Sequence, residues 1–279
     1  MLSGPDTSLK LGEEPTIFLF VFFAIWRFIL FLTVDAGDLS SWSFAWGATY
    51  QIVAIWGAVA GLIVSQSWGG WKSTFGKALL LFSIGLLFQS FGQTVSNYYV
   101  YYTGEVPYPG IGDIGFFGSI IFYISGIFLL AKVAGVKTSI KSFANKAQAI
   151  LIPAVMVISS YLFFLRGYQY DLSNPIKTFL DFGYPIYQAI YVGIAILTLV
   201  LSRKYLGGMM RRPVLLFLFA LIMQYIADFT FLYQTSRGLY IPGGINDFMY
   251  LVAYFIMATA LIYTGSVFKK IHCQTLFNF

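Results

Sequence analysis

From Ile17 to Phe268 the chain alternates between long apolar runs and short breaks of charge, glycine or proline, and it does so eight times. The runs cover approximately residues 17–34, 45–66, 77–100, 114–132, 148–166, 182–202, 213–235 and 248–268. A helix needs roughly 17 to 25 apolar residues to cross about 30 Å of hydrocarbon, and every run meets that length. The pattern predicts an all-α, polytopic membrane protein of eight transmembrane helices.

Composition agrees. Hydrophobic residues make up 58% of the chain and charged residues 10%, where a soluble domain carries about 25% charged residues. The first run follows an acidic "GEEP" and lacks a small-residue cleavage site, so a spanning helix is expected there and not a removable leader. Between and around these runs only short loops and short tails remain, so no soluble catalytic or output domain is expected within this sequence.

Lys and Arg accumulate in cytoplasmic loops, and here they are strongly biased. Lys72 and Lys77 follow the second run, Lys132, Lys137, Lys141 and Lys146 the fourth, Arg203, Lys204, Arg211 and Arg212 the sixth, and Lys269 and Lys270 the eighth. The opposite loops carry only Arg166, Lys177 and Arg237, together with acids such as Asp35, Asp38, Glu105 and Asp171. Both termini are therefore predicted to be cytoplasmic, in the cell membrane. This bias accounts for the formal charge of +6, so no nucleic-acid partner is expected. The basic loops are expected to touch anionic membrane lipids.

A second regularity is the phrase "PGIGDI" at 109–114, echoed by "GGINDF" at 243–248. Shifting the second half back by 134 to 135 residues places Gln224 on Gln89, Asp228 on Gln93, Asp247 on Asp113 and Tyr184 on Tyr50. The reading is an internal duplication of a four-helix unit. Four is even, so the two repeats are parallel, related by an axis along the membrane normal. The predicted organisation is a tail 1–16, repeat one 17–134, a basic linker 135–147, repeat two 148–268 and a tail 269–279.

In each phrase an acid sits just ahead of an apolar helix, where free N–H groups and the helix dipole favour a carboxylate. Asp113 and Asp247 are accordingly predicted N-caps; the competing reading makes them the rim of an outward-facing pocket. Within the runs, polar residues are few and costly. Gln89 and Gln93 are four apart on the third helix, and Gln224 and Asp228 four apart on the seventh, so each pair shares a helical face. Arg27, the one intramembrane cation, has Asp228 as its expected counter-charge. Either these groups are packing bonds between helices, or they form the polar floor of a ligand pocket beneath Asp113 and Asp247. The tyrosines at 98–102, 108, 168, 170 and 240 read as an interfacial aromatic belt. Small residues such as Gly57, Gly61, Gly118 and Gly126 suit close helix packing and are a weak sign of a homo-oligomer.

The stretches "YYTGEVPYPGIGDIGFFGSIIFYISGIFLL", "FLDFGYPIYQAIYVG" and "YIADFTFLYQTSRGLYIPGGINDFMYLVAYFIMA" resemble the multi-helix membrane domain found ahead of diguanylate cyclases and histidine kinases in bacteria and archaea. The shared phrases are Tyr-Pro before an acid ahead of the fourth helix, Tyr-Pro opening the sixth, Ala-Asp in the seventh and a Gly-x-x-Asp turn before the eighth. Two features depart from that pattern: Gln188 stands where the second phrase would have an acid, and no cyclase or kinase follows Phe268. The resemblance implies a sensor or receptor-like module, standing alone, that binds a small apolar or amphipathic molecule and signals through a cytoplasmic partner protein.

Other chemistries fit less well. His272 and Cys273 are the only residues of their kinds, which excludes a disulfide framework and a Cys/His metal cluster; no cofactor is expected. "GIGD" at 110–113 with Tyr170-Asp171 imitates intramembrane aspartyl proteases, but both acids fall in or beside loops. No lysine lies within a run for retinal-type Schiff-base chemistry. No catalytic constellation is left, so the chain is expected not to be an enzyme. A transporter or channel with parallel repeats, and an assembly protein without a ligand, are the alternatives to the sensor. Against the transporter, Pro153 and Pro185 are read as lying near helix ends, so no paired broken helices are expected.

Overall fold

The structure is a computed structural model that describes residues 13–33, 41–136, 143–166, 168, 173–202 and 207–277. Lys137, Lys141, Arg203, Lys204, Asp35, Asp38, Tyr170, Asp171 and most of the N-terminal tail lie outside the described residues. Among the described residues all regular structure is helical: α1 Glu13–Thr33, α2 Ser41–Thr49, α3 Ile52–Ser67, α4 Thr74–Thr103, α5 Ile111–Val133, α6 Phe143–Ser160, α7 Pro175–Ser202, α8 Arg211–Ser236 and α9 Ile245–Phe277. They supply eight segments long and apolar enough to span a membrane, α2 and α3 together making one of them.

Every span is longer than its apolar run. α4 continues to Thr103 and ends on Gly104 in the left-handed region (φ 76°), carrying the tyrosine-rich "YYVYY" beyond the apolar run. Proline also sits differently from expectation. Pro153 and Pro185 lie inside α6 and α7, not near helix ends. Neighbouring helices hold the backbone there, although Pro185 has no N–H to give the preceding turn. Directly after α6 the chain widens into a π-helix over Tyr161–Leu165.

The second span is broken. Between α2 and α3 the buried Tyr50 and Gln51 form a turn, in which the Gln51 amide donates to the Ala48 carbonyl (2.8 Å) and to Thr94 Oγ1 (3.1 Å). A side chain thereby takes over a carbonyl that the helix ladder has released, as a break within hydrocarbon requires.

Six helices close a ring in the order α3, α4, α5, α7, α8, α9 and back to α3, while α1 leans on α9 and α2 and α6 on α7 from outside. Small residues set the closest seams. A Cβ on Gly57 would collide with Ala258 across α3 and α9, and one on Gly115 with the backbone of Gly92 across α5 and α4. Gly61, Gly118 and Gly126 likewise meet Leu261, Phe88 and Phe82 of the same chain. The predicted packing glycines are thus used within the molecule. Phe82 and Phe217 stack across the middle of the ring, 4.9 Å apart. Outside it, α1 turns Phe18, Phe28 and Phe31 outward, and Trp46 and Trp56 tie it down by donating to the Phe23 carbonyl (2.8 Å) and Thr16 Oγ1 (3.0 Å).

Candidate functional site

Polar side chains gather inside the ring where α4, α5, α7, α8 and α9 converge. Asp228, 6% exposed on α8, accepts from Tyr191 of α7 (2.8 Å), from Tyr250 of α9 (2.9 Å) and from Gln224 one turn earlier on its own helix (3.0 Å). The predicted i, i+4 pair of Gln224 and Asp228 therefore bonds directly. Gln89 on α4 accepts from Ser119 of α5 at 2.7 Å, with the Tyr254 hydroxyl close by. Gln93 is buried one turn beyond Gln89 and makes none of these bonds. The two glutamine-bearing pairs are not bonded to one another: each is held by a tyrosine or serine of the helix beside it.

Asp247, 2% exposed, sits in the first turn of α9 and points backward. Gly243, left-handed at φ 71°, turns its N–H onto Asp247 Oδ2 (2.6 Å), and the partly buried Tyr240 donates to Oδ1 (3.1 Å). Asp113 does the same at the start of α5, accepting from Gly110 N–H (2.8 Å) and from the Tyr184 hydroxyl of α7 (2.7 Å). Neither acid is the N-cap that was predicted. Both stand inside the first turn and satisfy an N–H that precedes the helix, the carboxylate half of a capping box.

Arg27 is also placed differently. Its guanidinium lies 5.9 Å from the centroid of the Trp46 ring, and the carboxylate whose charge acts on it is Asp247. The expected Arg27–Asp228 pair is not made, because three neutral donors already occupy Asp228. Uncharged phenols can satisfy a buried carboxylate without a second desolvated charge.

Several belt tyrosines have specific partners. Tyr108 and Tyr168 both donate to Asp181, each at 2.6 Å, and Tyr240 holds Asp247. Burial first, and then the Asp181 hydrogen bond and charge, raise the Tyr108 phenol above its ordinary range. Burial and the Asp247 charge raise that of Tyr240. Both stay protonated donors. Tyr98, Tyr101 and Tyr102 remain exposed and keep the belt reading.

The sequence reading missed Tyr191, Tyr250, Tyr254 and Asn246. One signal pointed to two of them: Asp247, Tyr250 and Tyr254 fall at spacings of three and four on an otherwise apolar helix, a polar stripe. Tyr50 and Tyr254, both 0% exposed, stack with centroids 6.0 Å apart, and neither hydroxyl closes a hydrogen bond. Asn246 donates to the Ala227 carbonyl at 2.8 Å while its Oδ1 accepts nothing.

Among the described residues no group of His, Cys, Asp and Glu is arranged to hold a metal. Known protein families, curated proteins and solved structures offer no match to this chain, so the likeness to the sensor domain is carried by the short phrases quoted above.

Proposed function

We propose that the chain is a membrane-embedded, receptor-like sensor that binds a small apolar or amphipathic molecule at the Asp228 core and passes a helix shift to a protein on the cytoplasmic side. The observation that carries this reading is the pair of fully buried tyrosines, Tyr50 and Tyr254, whose hydroxyls meet no partner at hydrogen-bond distance and angle, beside the buried carboxylates of Asp228 and Asp247. An unmet buried hydroxyl costs roughly 1–3 kcal/mol. Such a core is more stable with a polar group bound in it, and the closed ring around it would respond to that group.

The duplication supports the same reading. Exchanging α3, α4 and α5 with α7, α8 and α9 returns the same ring order, as parallel repeats require. The exchange also relates Tyr184, bonded to Asp113, to Tyr50, on which the Asp247 charge acts. The basic ends of α4, α5, α8 and α9 would face the cytoplasm with both tails. No side-chain constellation in this reading performs catalysis.

A transporter or channel is the second reading, favoured by one specific feature. The break at Tyr50-Gln51 and the proline at Tyr184-Pro185 fall on equivalent positions of the two halves, 134 residues apart, and paired interruptions point to a substrate path.

Protein purified in mild detergent and analysed by mass spectrometry should carry an amphipathic small molecule that Tyr254→Phe loses. A bare wild type whose Tyr254→Phe variant melts at the same temperature or higher would leave the assembly reading in place. Uptake of the co-purified molecule by proteoliposomes would favour transport over sensing.

A further inference from the structure

Between the partly buried Tyr240 and the buried Asp228 lies a row of polar side chains, hydrogen-bonded at each end and stacked ring on ring in between. Tyr240 donates to Asp247. The Asp247 charge acts on the Tyr50 hydroxyl, and Tyr50 stacks on Tyr254. Tyr254 lies over Tyr250 with centroids 6.1 Å apart, and Tyr250 donates to Asp228 at 2.9 Å. The open part of the series is at Tyr50 and Tyr254, the two phenols without partners. Buried polar atoms that lack protein partners are where internal waters bind, each typically with two to four hydrogen bonds.

We infer that this series is a proton path, in which Asp247 and Asp228 exchange a proton through the Tyr50, Tyr254 and Tyr250 hydroxyls, with water bridging the hydroxyls that do not meet directly. The inference rests on the same core as the sensor reading but needs no ligand. In each step an oxygen accepts a proton from the group before it while releasing its own to the group after it. Only O–H bonds are exchanged, no heavy-atom bond changes, and no oxidant is involved. One carboxyl group ends protonated and the other ionised.

The other titratable groups around the two acids are consistent with that traffic. Tyr191 from α7 donates to Asp228, and the Asp228 charge also reaches the phenols of Tyr184 from α7, Tyr123 from α5 and Tyr225 from its own helix. Facing Asp247 are Tyr240 from the preceding turn and Arg27 from α1. The cation therefore stands at the Asp247 end alone.

The test uses the full chain in lipid nanodiscs, transferred from H2O to D2O and followed by infrared spectroscopy of the carboxyl bands, which Asp228→Asn and Asp247→Asn assign. Tyr254→Phe keeps the ring and removes the hydroxyl. It should slow exchange at Asp228 by at least about tenfold, the effect of one lost hydrogen-bonded link, and leave Asp247 unchanged. Tyr50→Phe should do the same from the other side of the gap, and Tyr98→Phe, at an exposed tyrosine outside the core, should do nothing. Unaltered exchange at Asp228 in both Tyr50→Phe and Tyr254→Phe overturns the path. So does a wild type in which Asp228 shows no protonated band at any pH where the protein stays folded. A missing co-purified molecule would sink the sensor reading and leave this one standing.

Discussion

Arg27 shows how a half-buried charge chooses its surroundings. A cation and a carboxylate within one span set suggest a pair by elimination, yet Asp228 is already satisfied by three uncharged donors. Arg27 instead shares its region with Trp46 and Asp247. Thermal melting in detergent should accordingly find Arg27→Met and Asp228→Asn additive. Arg27→Met with Asp247→Asn should deviate from additivity by about 0.5 kcal/mol or more, as interacting groups do. Additivity in the second pair would show that the attraction is negligible. A second expectation follows from Tyr108 and Tyr240, whose phenols are both raised in the fold. A group raised on folding contributes stability that is fully present below its unfolded value, about 10 for tyrosine, and that is lost as pH climbs beyond it. Melting temperature should therefore fall in the alkaline range above pH of about 10, and Tyr108→Phe should make that fall shallower. An equal fall in the variant would exclude Tyr108 from it.

At the scale of elements, the spans were legible and their interruptions were not. Apolar runs of spanning length answer to a single requirement, the thickness of hydrocarbon, so all eight appear in the structure. The turn at Tyr50-Gln51 depends on Gln51 supplying a hydrogen bond to Ala48, and nothing in a hydropathy pattern records that. The core acids were readable as rare polar residues, whereas the tyrosines that satisfy them resembled interfacial belt residues because tyrosine serves both purposes. The glycines were readable as packing positions but not as to which helix they meet. That last point is testable at the α3–α9 seam, where a methyl group on Gly57 overlaps that of Ala258. Gly57→Ala should destabilise by roughly 1–3 kcal/mol, the usual cost of overpacking. Ala258→Gly in the same chain should restore much of it. A double variant no better than Gly57→Ala would place the strain elsewhere.

For the whole molecule the order of helices around the ring carries the argument about orientation. Eight spans alternate in direction, so the turns after α4 and α8, with the start of α7, share one end, and the starts of α4 and α8 share the other. Tyr108, Asp181, Tyr240 and Asp247 gather at the first end; Lys72, Lys77, Arg211 and Arg212 gather at the second. Basic residues resist translocation, and the lysine-rich end is therefore expected in the cytoplasm. After Cys273→Ser removes the native thiol, a cysteine placed at the exposed Glu105 should react with an impermeant maleimide added to intact cells. A cysteine at Lys72, equally exposed in the turn before α4, should react only once the membrane is opened. The reverse pattern would put both tails outside and deny the sensor a cytoplasmic partner. Labelling of both sites in intact cells would show mixed insertion, which the charge bias at the lysine-rich end should prevent. The Glu105 and Lys72 sites are informative together because the same helix, α4, connects them: whichever end of α4 the reagent reaches, the direction of that helix, and through the alternation that of every other, follows.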